Sequence, residues 1–414
     1  MIKKNYYRHK ETINNFTWRV LQVFGKQGIT FLIFILCAKL LSPYEFGLYN
    51  YALALVLFLV LFCDFGISTS TSKHVAEYNI ADKEKLKGVL FNSAVLIFIL
   101  TILLSILILL LGPIYLKEKY VYLIYVLPLL LLAPLTSLYD GIYRGLKQFK
   151  KLALTSIFAG LISLTFVYTL IKKYGIIGAL ISQNLFYLIL FIFLAAGYKN
   201  FTFKIDKAFM KKTLSYSVFI GFSSLGYFMY TRPDVILLGA FNYITEISYF
   251  ELVNKIFILI GSFFAILGQV IAPNISKHFV LGERKIIREK YVKFVMFSLF
   301  CGIVISIILY LLIPIMVKYF LPQYFNPAFL KIFKILIFIL PLNIVSQSIT
   351  QSFIVATGNA KYSIMTIPFG IINIILAYFF LIKFGYIGVL YATIITSTIN
   401  RVITWSLIYR EFTK

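Results

Sequence analysis

Long apolar runs, separated by short stretches rich in Lys and Arg, dominate the chain from Phe16 to its end. An α-helix needs about twenty mostly apolar residues to cross the hydrocarbon core of a bilayer. Twelve such runs occur, at roughly 16–40, 46–68, 88–112, 120–141, 152–171, 176–197, 213–240, 246–272, 291–317, 332–356, 362–383 and 386–409. Their length, and the absence of sustained two-residue alternation, predicts helices and not strands. The expected class is an all-α polytopic membrane protein with about 12 transmembrane helices. The polar stretch Met1–Asn15 is too long for a cleaved signal peptide, so the first run is expected to remain as an anchor.

Composition agrees with this pattern. The 414 residues are 61% hydrophobic and 13% charged, against about half and a quarter in soluble domains. The net charge of +25 invites a nucleic-acid reading. Most of the basic residues, however, sit between apolar runs, where membrane insertion puts them. With the N-terminus in the cytoplasm, 28 of the 40 Lys and Arg fall in cytoplasmic segments and 9 in outer ones. Lys361 and Arg401 are counted on the cytoplasmic side; Lys26, Arg232 and Lys255 lie within runs. The expectation is a multi-pass protein of the cytoplasmic membrane with both termini inside, and no nucleic-acid partner. Cys37, Cys63 and Cys301 lie in or beside apolar runs, and His9, His74 and His278 in expected loops. Neither set has the spacing of a disulfide framework or a metal site.

The basic linker at 201–212 divides the chain into two six-helix bundles, 1–200 and 213–414. An internal echo supports two halves. Lys173-Tyr174-Gly175-Ile176-Ile177-Gly178-Ala179-Leu180 matches Lys383-Phe384-Gly385-Tyr386-Ile387-Gly388-Val389-Leu390, each at the entry to the last helix of its half. Gly145 and Gly358 echo one another after runs four and ten. An even number of helices per half gives both the same orientation, and thus a pseudo-twofold axis along the membrane normal with a substrate site between the bundles.

Ionisable residues at membrane depth are costly and face a cavity or each other. Run one carries Arg19, Gln22, Lys26 and Thr30 on one helical face. Run seven carries Ser224, Tyr227, Thr231 and Asp234, with Arg232 beside them. Run eight carries Glu251, Lys255, Ser262 and Gln269, and run ten Asn343, Ser346, Gln347 and Thr350. Runs three, five, six and nine are nearly bare of polar side chains and suit the lipid-facing periphery. The candidate cavity residues are Lys26, Lys255, Arg232, Gln22, Glu251, Gln269 and Asp234. They form a net cationic site, suited to the oxygens of a phosphorylated ligand. Simpler readings stand beside this one. Glu251 and Lys255 are spaced to pair within one helix, Arg19 and Lys39 to anchor at the interfaces, and Asp64 to end its helix. Arg232 precedes Pro233, and a break there would turn it inward.

Asp64-Phe65-Gly66 spells a kinase triplet without any other kinase element. Gly141-Ile142-Tyr143-Arg144-Gly145 is a GxxxG explained equally well by close packing or a turn. No Walker loop, nucleophile elbow or hydrolytic carboxylate pair is present, and an enzyme is not expected.

Several short patterns, in order, resemble the polysaccharide-export (oligosaccharide) flippases of the multidrug/oligosaccharidyl-lipid/polysaccharide superfamily. They are Leu41-Ser42-Pro43-Tyr44-Glu45-Phe46-Gly47-Leu48-Tyr49, Asp64-Phe65-Gly66, Tyr143-Arg144-Gly145 and Tyr174-Gly175-Ile176-Ile177-Gly178-Ala179. Asp234 with Leu238-Gly239, and Ala272-Pro273-Asn274, complete the series. The resemblance implies a MATE-like fold, alternating access and export of a polyprenyl phosphate- or diphosphate-linked glycan. It also implies a pathway shared with glycosyltransferases, no cofactor, and coupling to a proton or sodium gradient. Cations of helices one, seven and eight map onto Lys26, Arg232 and Lys255 by helix position. The alternatives are a cation or drug antiporter of the same fold, and a membrane polymerase or ligase using lipid-linked sugars. Lys26 without a carboxylate on helix one speaks against the first, and short outer segments without His against the second.

Overall fold

The computed structural model describes residues 2–199, 201–354, 357 and 366–412, with side chains from Thr17 onward. Gly358 and Lys361, used above for the second echo and the charge count, lie outside the described residues. The helices are α1 (Ile2–Leu40), α2 (Pro43–Asp64), α3 (Ile67–Ala81), α4 (Lys83–Leu116), α5 (Tyr120–Val126), α6 (Leu129–Gly145), α7 (Phe149–Ala196) and α8 (Lys207–Thr231). They continue with α9 (Pro233–Ala240), α10 (Ile244–Val280), α11 (Arg284–Phe320), α12 (Pro327–Ile337), α13 (Leu340–Ile349), α14 (Thr366–Phe384) and α15 (Tyr386–Glu411). No strand occurs among the described residues. In hydrocarbon every backbone polar group must be satisfied internally, which is why runs this apolar become helices.

Among the described residues, eight helices are long and apolar enough to span a membrane, or up to nine if the bent pair Pro327–Ile337 and Leu340–Ile354 is one span. The twelve expected runs fit because α7 holds two of them. Runs four, seven and ten are each divided at or near a proline, giving α5–α6, α8–α9 and α12–α13. The spans in α4 and α11 keep 22% and 17% of their apolar windows buried and that in α7 33%, against 28% for α1 and α10, so burial does not separate the expected peripheral runs from the expected cavity-lining ones.

One segment differs from expectation. Residues 67–81, read as the end of run two and a loop, form α3. Its composition is too polar for an apolar-run criterion, but its start is capped. The Asp64 carboxylate accepts hydrogen bonds from the Ser68 N–H at 2.9 Å and the Ser68 hydroxyl at 2.6 Å, and so satisfies donors that a helix start leaves open. The buried face of α3, including Ile67, Ser68, Thr71 and Val75, lies against α6. Gly141 and Gly145 make that approach possible. A Cβ on either would sit 2.5 Å from the Ser68 carbonyl oxygen or 2.7 Å from that of Ser72. The GxxxG is therefore a packing surface.

The repeated octapeptide forms the same turn twice. Gly175 has φ 55° and ψ −132°, and Gly385 has φ 64° and ψ −154°, a region that only glycine enters cheaply. Three residues later, a Cβ on Gly178 would lie 2.0 Å from the Leu170 carbonyl oxygen, and one on Gly388 2.0 Å from that of Phe380. Each turn reverses the chain through a single non-helical residue. In α7 the limbs run back along each other, with Lys151 Nζ donating to the Gly197 carbonyl. In α14–α15 the Thr396 hydroxyl donates to Asn373 Oδ1 at 3.0 Å.

The chain packs as two compact units: residues 1–41 with 52–224, and 42–51 with 225–414. The expected division at 201–212 counts spans along the chain, whereas this one counts packing. In the second unit, Ser42 and Glu45 form a capping box at the start of α2. The Ser42 N–H donates to the Glu45 carboxylate at 3.0 Å and the Glu45 N–H to the Ser42 hydroxyl at 3.3 Å. Phe46 is fully buried, edge-on to Tyr324. Gly47 lets this segment meet the Ile244 backbone, where a Cβ would sit 1.9 Å from the carbonyl oxygen. Cys37 and Cys63 are wholly buried, and Cys301 is partly exposed.

Candidate functional site

In the second unit the site is built on a proline break. Pro233 opens α9, and Arg232 before it adopts φ −133° and ψ 6°, outside helical geometry. The break turns the Arg232 guanidinium to Glu251 of α10, at 2.5 Å. Glu251 is 5% exposed and Arg232 half-buried, so the carboxylate is out of water and the guanidinium partly so. Glu251 is thus bound to Arg232 across helices, where its spacing had offered Lys255 on its own helix. Lys255 lies within electrostatic reach of both. Asp234 is buried at the start of α9, and its carboxylate accepts from the Val235 N–H at 3.0 Å.

Further along α10, Gln269 Nε2 donates to Gln351 Oε1 at 3.3 Å. Many hydroxyls of the expected polar stripes bond back to their own helices. Thr231 donates to the Tyr227 carbonyl at 2.8 Å, Ser262 to that of Leu259 at 2.7 Å and Thr350 to that of Ser346 at 2.8 Å. Such back-bonding satisfies a hydroxyl in an apolar setting without a second helix.

Arg401 was counted with the cytoplasmic charges, yet it sits inside α15. It lies fifteen residues from the helix start, about 22 Å along the axis. Its guanidinium donates to the side-chain oxygen of Asn343 on α13. The adjacent polar pair Asn400-Arg401, well inside an apolar run, was the signal available in the sequence. Counting charge by loop concealed it.

In the first unit the polar residues form a chain. Arg19 donates to Gln22 Oε1 at 2.5 Å, Gln22 Nε2 to Asp140 Oδ1 at 2.9 Å, and Asp140 pairs with Arg144 at 2.7 Å. Gln22, 4% exposed, is the bridge that ties α1 to α6. Thr30 donates to the Gln27 carbonyl at 3.0 Å. Lys26 is exposed on α1. The structure therefore gathers Arg232, Glu251, Asp234 and Lys255 in one unit and joins Gln22 to Asp140 in the other. Gln269 stands apart, about 27 Å along α10 from Glu251.

A second polar cluster lies beside the spans of the first unit. His74 of α3 is 1% exposed, and its Nδ1 meets the Glu77 carboxylate at 3.2 Å. Lys212 of α8 reaches Glu77 at 3.6 Å, Phe209 packs edge-on to the imidazole, and Lys73 lies over the Tyr216 ring. Burial first, then the Lys212 and Lys73 charges, hold the His74 pKa below its usual value, against the Glu77 contact. No group of three or more metal-ligating side chains occurs among the described residues.

Residues 12–279 match the family described as polysaccharide biosynthesis protein. A protein of Escherichia coli strain K12, named for O-antigen transport, is 27% identical over 384 residues, covering 85% of this chain and 86% of its own length. Among solved structures, an inward-facing multidrug resistance MATE transporter of the MOP superfamily superposes with a TM-score of 0.76. It is 15% identical, over 95% of this chain and 94% of the other. The lipid II flippase MurJ, in an inward closed conformation, gives 0.74 at 20% identity, over 95% and 86%. At these identities the structural matches establish the fold, which is MATE-like.

Proposed function

The chain belongs to the polysaccharide biosynthesis protein family, and we propose that it is a flippase. It moves a polyprenyl phosphate- or diphosphate-linked glycan from the cytoplasmic leaflet of the cell membrane to the outer one. The observation that carries this reading is the set of charged side chains deep within the spans of the second unit. Arg232 is held by Glu251 at 2.5 Å, with Lys255 beside them. Charges are not retained at such depth for stability alone, because removing them from water costs several kcal/mol each. Arg and Lys donors suit phosphate oxygens, and amides such as Gln269 suit a sugar. The hydrocarbon tail stays in the bilayer while the head crosses by alternating access. The names of the relatives in O-antigen transport and lipid II flipping support the substrate class. Lys26 contributes a cation from the first unit, and a proton or sodium gradient drives the cycle. Both termini lie in the cytoplasm, where glycosyltransferases assemble the substrate.

The test is flipping by the purified chain in liposomes carrying a fluorescent polyprenyl diphosphate-linked saccharide. A membrane-impermeant quencher reads how much label is outside. The protein is expected to bring label to equilibrium between leaflets, faster when an ion gradient is imposed. No acceleration over protein-free liposomes, with or without a gradient, would overturn the proposal.

A further inference from the structure

Among the described residues of the second unit, Arg401 is a cation with no carboxylate in ion-pair contact. Arg232 and Glu251 pair with one another, and Lys255 and Asp234 lie within electrostatic reach of that pair. Arg401 has a neutral partner, the Asn343 amide oxygen. Its Nη1 is buried and has no hydrogen-bond partner among the described residues. A guanidinium has five N–H donors and no acceptor, so only oxygens of another group can satisfy it.

Its surroundings suit an anion. Tyr227 and Tyr230 of α8 lie within electrostatic reach of Arg401. The Tyr230 hydroxyl touches the Ser397 carbonyl at 3.4 Å, one turn from Arg401 on the same helix. Tyr227 is 57% exposed, so the corner has an accessible edge beside the buried guanidinium. Tyr227 also lies within electrostatic reach of Arg232, so the two arginines share it while standing at different depths. The starts of α10 and α15 adjoin, with the Tyr243 and Tyr386 rings 5.9 Å apart. From those starts, Glu251 lies seven residues along and Arg401 fifteen, a difference in depth of about 12 Å.

We propose that Arg401 is a phosphate-binding residue at a second, deeper level, its guanidinium plane fixed by Asn343 and its free N–H groups presented beside the two tyrosines. The ligand is the phosphate or diphosphate of a lipid head group. This rests on the flippase reading and adds to it: the head group has two stations along one unit, with Arg401 nearer the helix ends expected on the cytoplasmic side. An Arg fork grips a phosphate in two-point fashion, which Lys cannot reproduce.

The experiment is binding to the purified full-length protein, followed by calorimetry, with polyprenyl diphosphate and, separately, inorganic pyrophosphate. Arg401→Gln is expected to weaken lipid binding at least tenfold, Arg401→Lys about threefold, and Asn343→Ala about threefold. A loss in the lipid arm alone identifies a lipid head group as the ligand. An equal loss in both arms means the phosphate suffices; either supports the proposal. Unchanged affinity of a folded Arg401→Gln protein overturns it. If that variant does not fold, unchanged affinity in both Arg401→Lys and Asn343→Ala overturns it instead. A wild-type protein that binds neither probe overturns the flippase reading, and this inference with it.

Discussion

The two compact units share a backbone device and differ in what they do with charge. Gly175 and Gly385 turn the chain with nearly the same dihedral angles, and Gly178 and Gly388 approach carbonyl oxygens 210 residues apart to the same 2.0 Å. Around these turns the chemistry diverges. The first unit ties Arg19, Gln22, Asp140 and Arg144 into one chain that joins α1 to α6. The second buries Arg232 with Glu251 and leaves Arg401 on a neutral amide. The repeat preserves what the fold needs. Charge, which the fold does not need, is arranged differently in each.

The largest expected effect tests the buried pair. Glu251→Ala leaves the half-buried Arg232 without its partner and should cost about 3 kcal/mol, the lower end for a buried pair, seen as a lower thermal midpoint of the purified protein. Adding Arg232→Ala should recover part of that loss. If the double variant is as unstable as the sum of the single ones, the pair is not a unit. Next come the turns. Gly178→Val and Gly388→Val should each destabilise by about 1–3 kcal/mol, as overpacking does, and by similar amounts. A large effect at one site only would break the equivalence of the two turns. Lys255→Ala and Lys26→Ala should each slow flipping about tenfold, the size of one charge-assisted hydrogen bond, with unchanged thermal midpoints. Wild-type flipping by both would remove them from the site.

The smallest effect concerns the first unit alone. The His74 pKa is lowered on folding, chiefly by burial. The unfolded chain therefore takes up the proton first, and stability falls as pH drops through the ordinary histidine range and on towards the lowered folded value. The contact of α3 with α8 should weaken from pH 7.5 to 5.5, measured by hydrogen exchange in residues 67–81. His74→Asn should flatten that dependence, and a slope that survives it would mean another group is responsible.

Much of the fold was legible in the sequence because hydrocarbon permits few alternatives. A run of twenty apolar residues has no choice but to be a helix, and the octapeptide repeat marked two turns that share one geometry. α3 was not legible, since a capped polar helix leaves no apolar run. Arg232, Glu251 and Lys255 could be picked out as ionisable residues inside runs. Their pairing could not, because helical spacing offered Lys255 to Glu251 and only the Pro233 break delivers Arg232. Arg401 escaped because loop-charge counting assigned it to the wrong ledger.

The single-residue reversals at Gly175 and Gly385 bear on how the protein is made. A hairpin whose limbs are joined by one residue has no tether long enough for one limb to wait outside the bilayer while the other enters. The insertion machinery must accept both limbs together. An epitope tag placed at either reversal would arrest biogenesis.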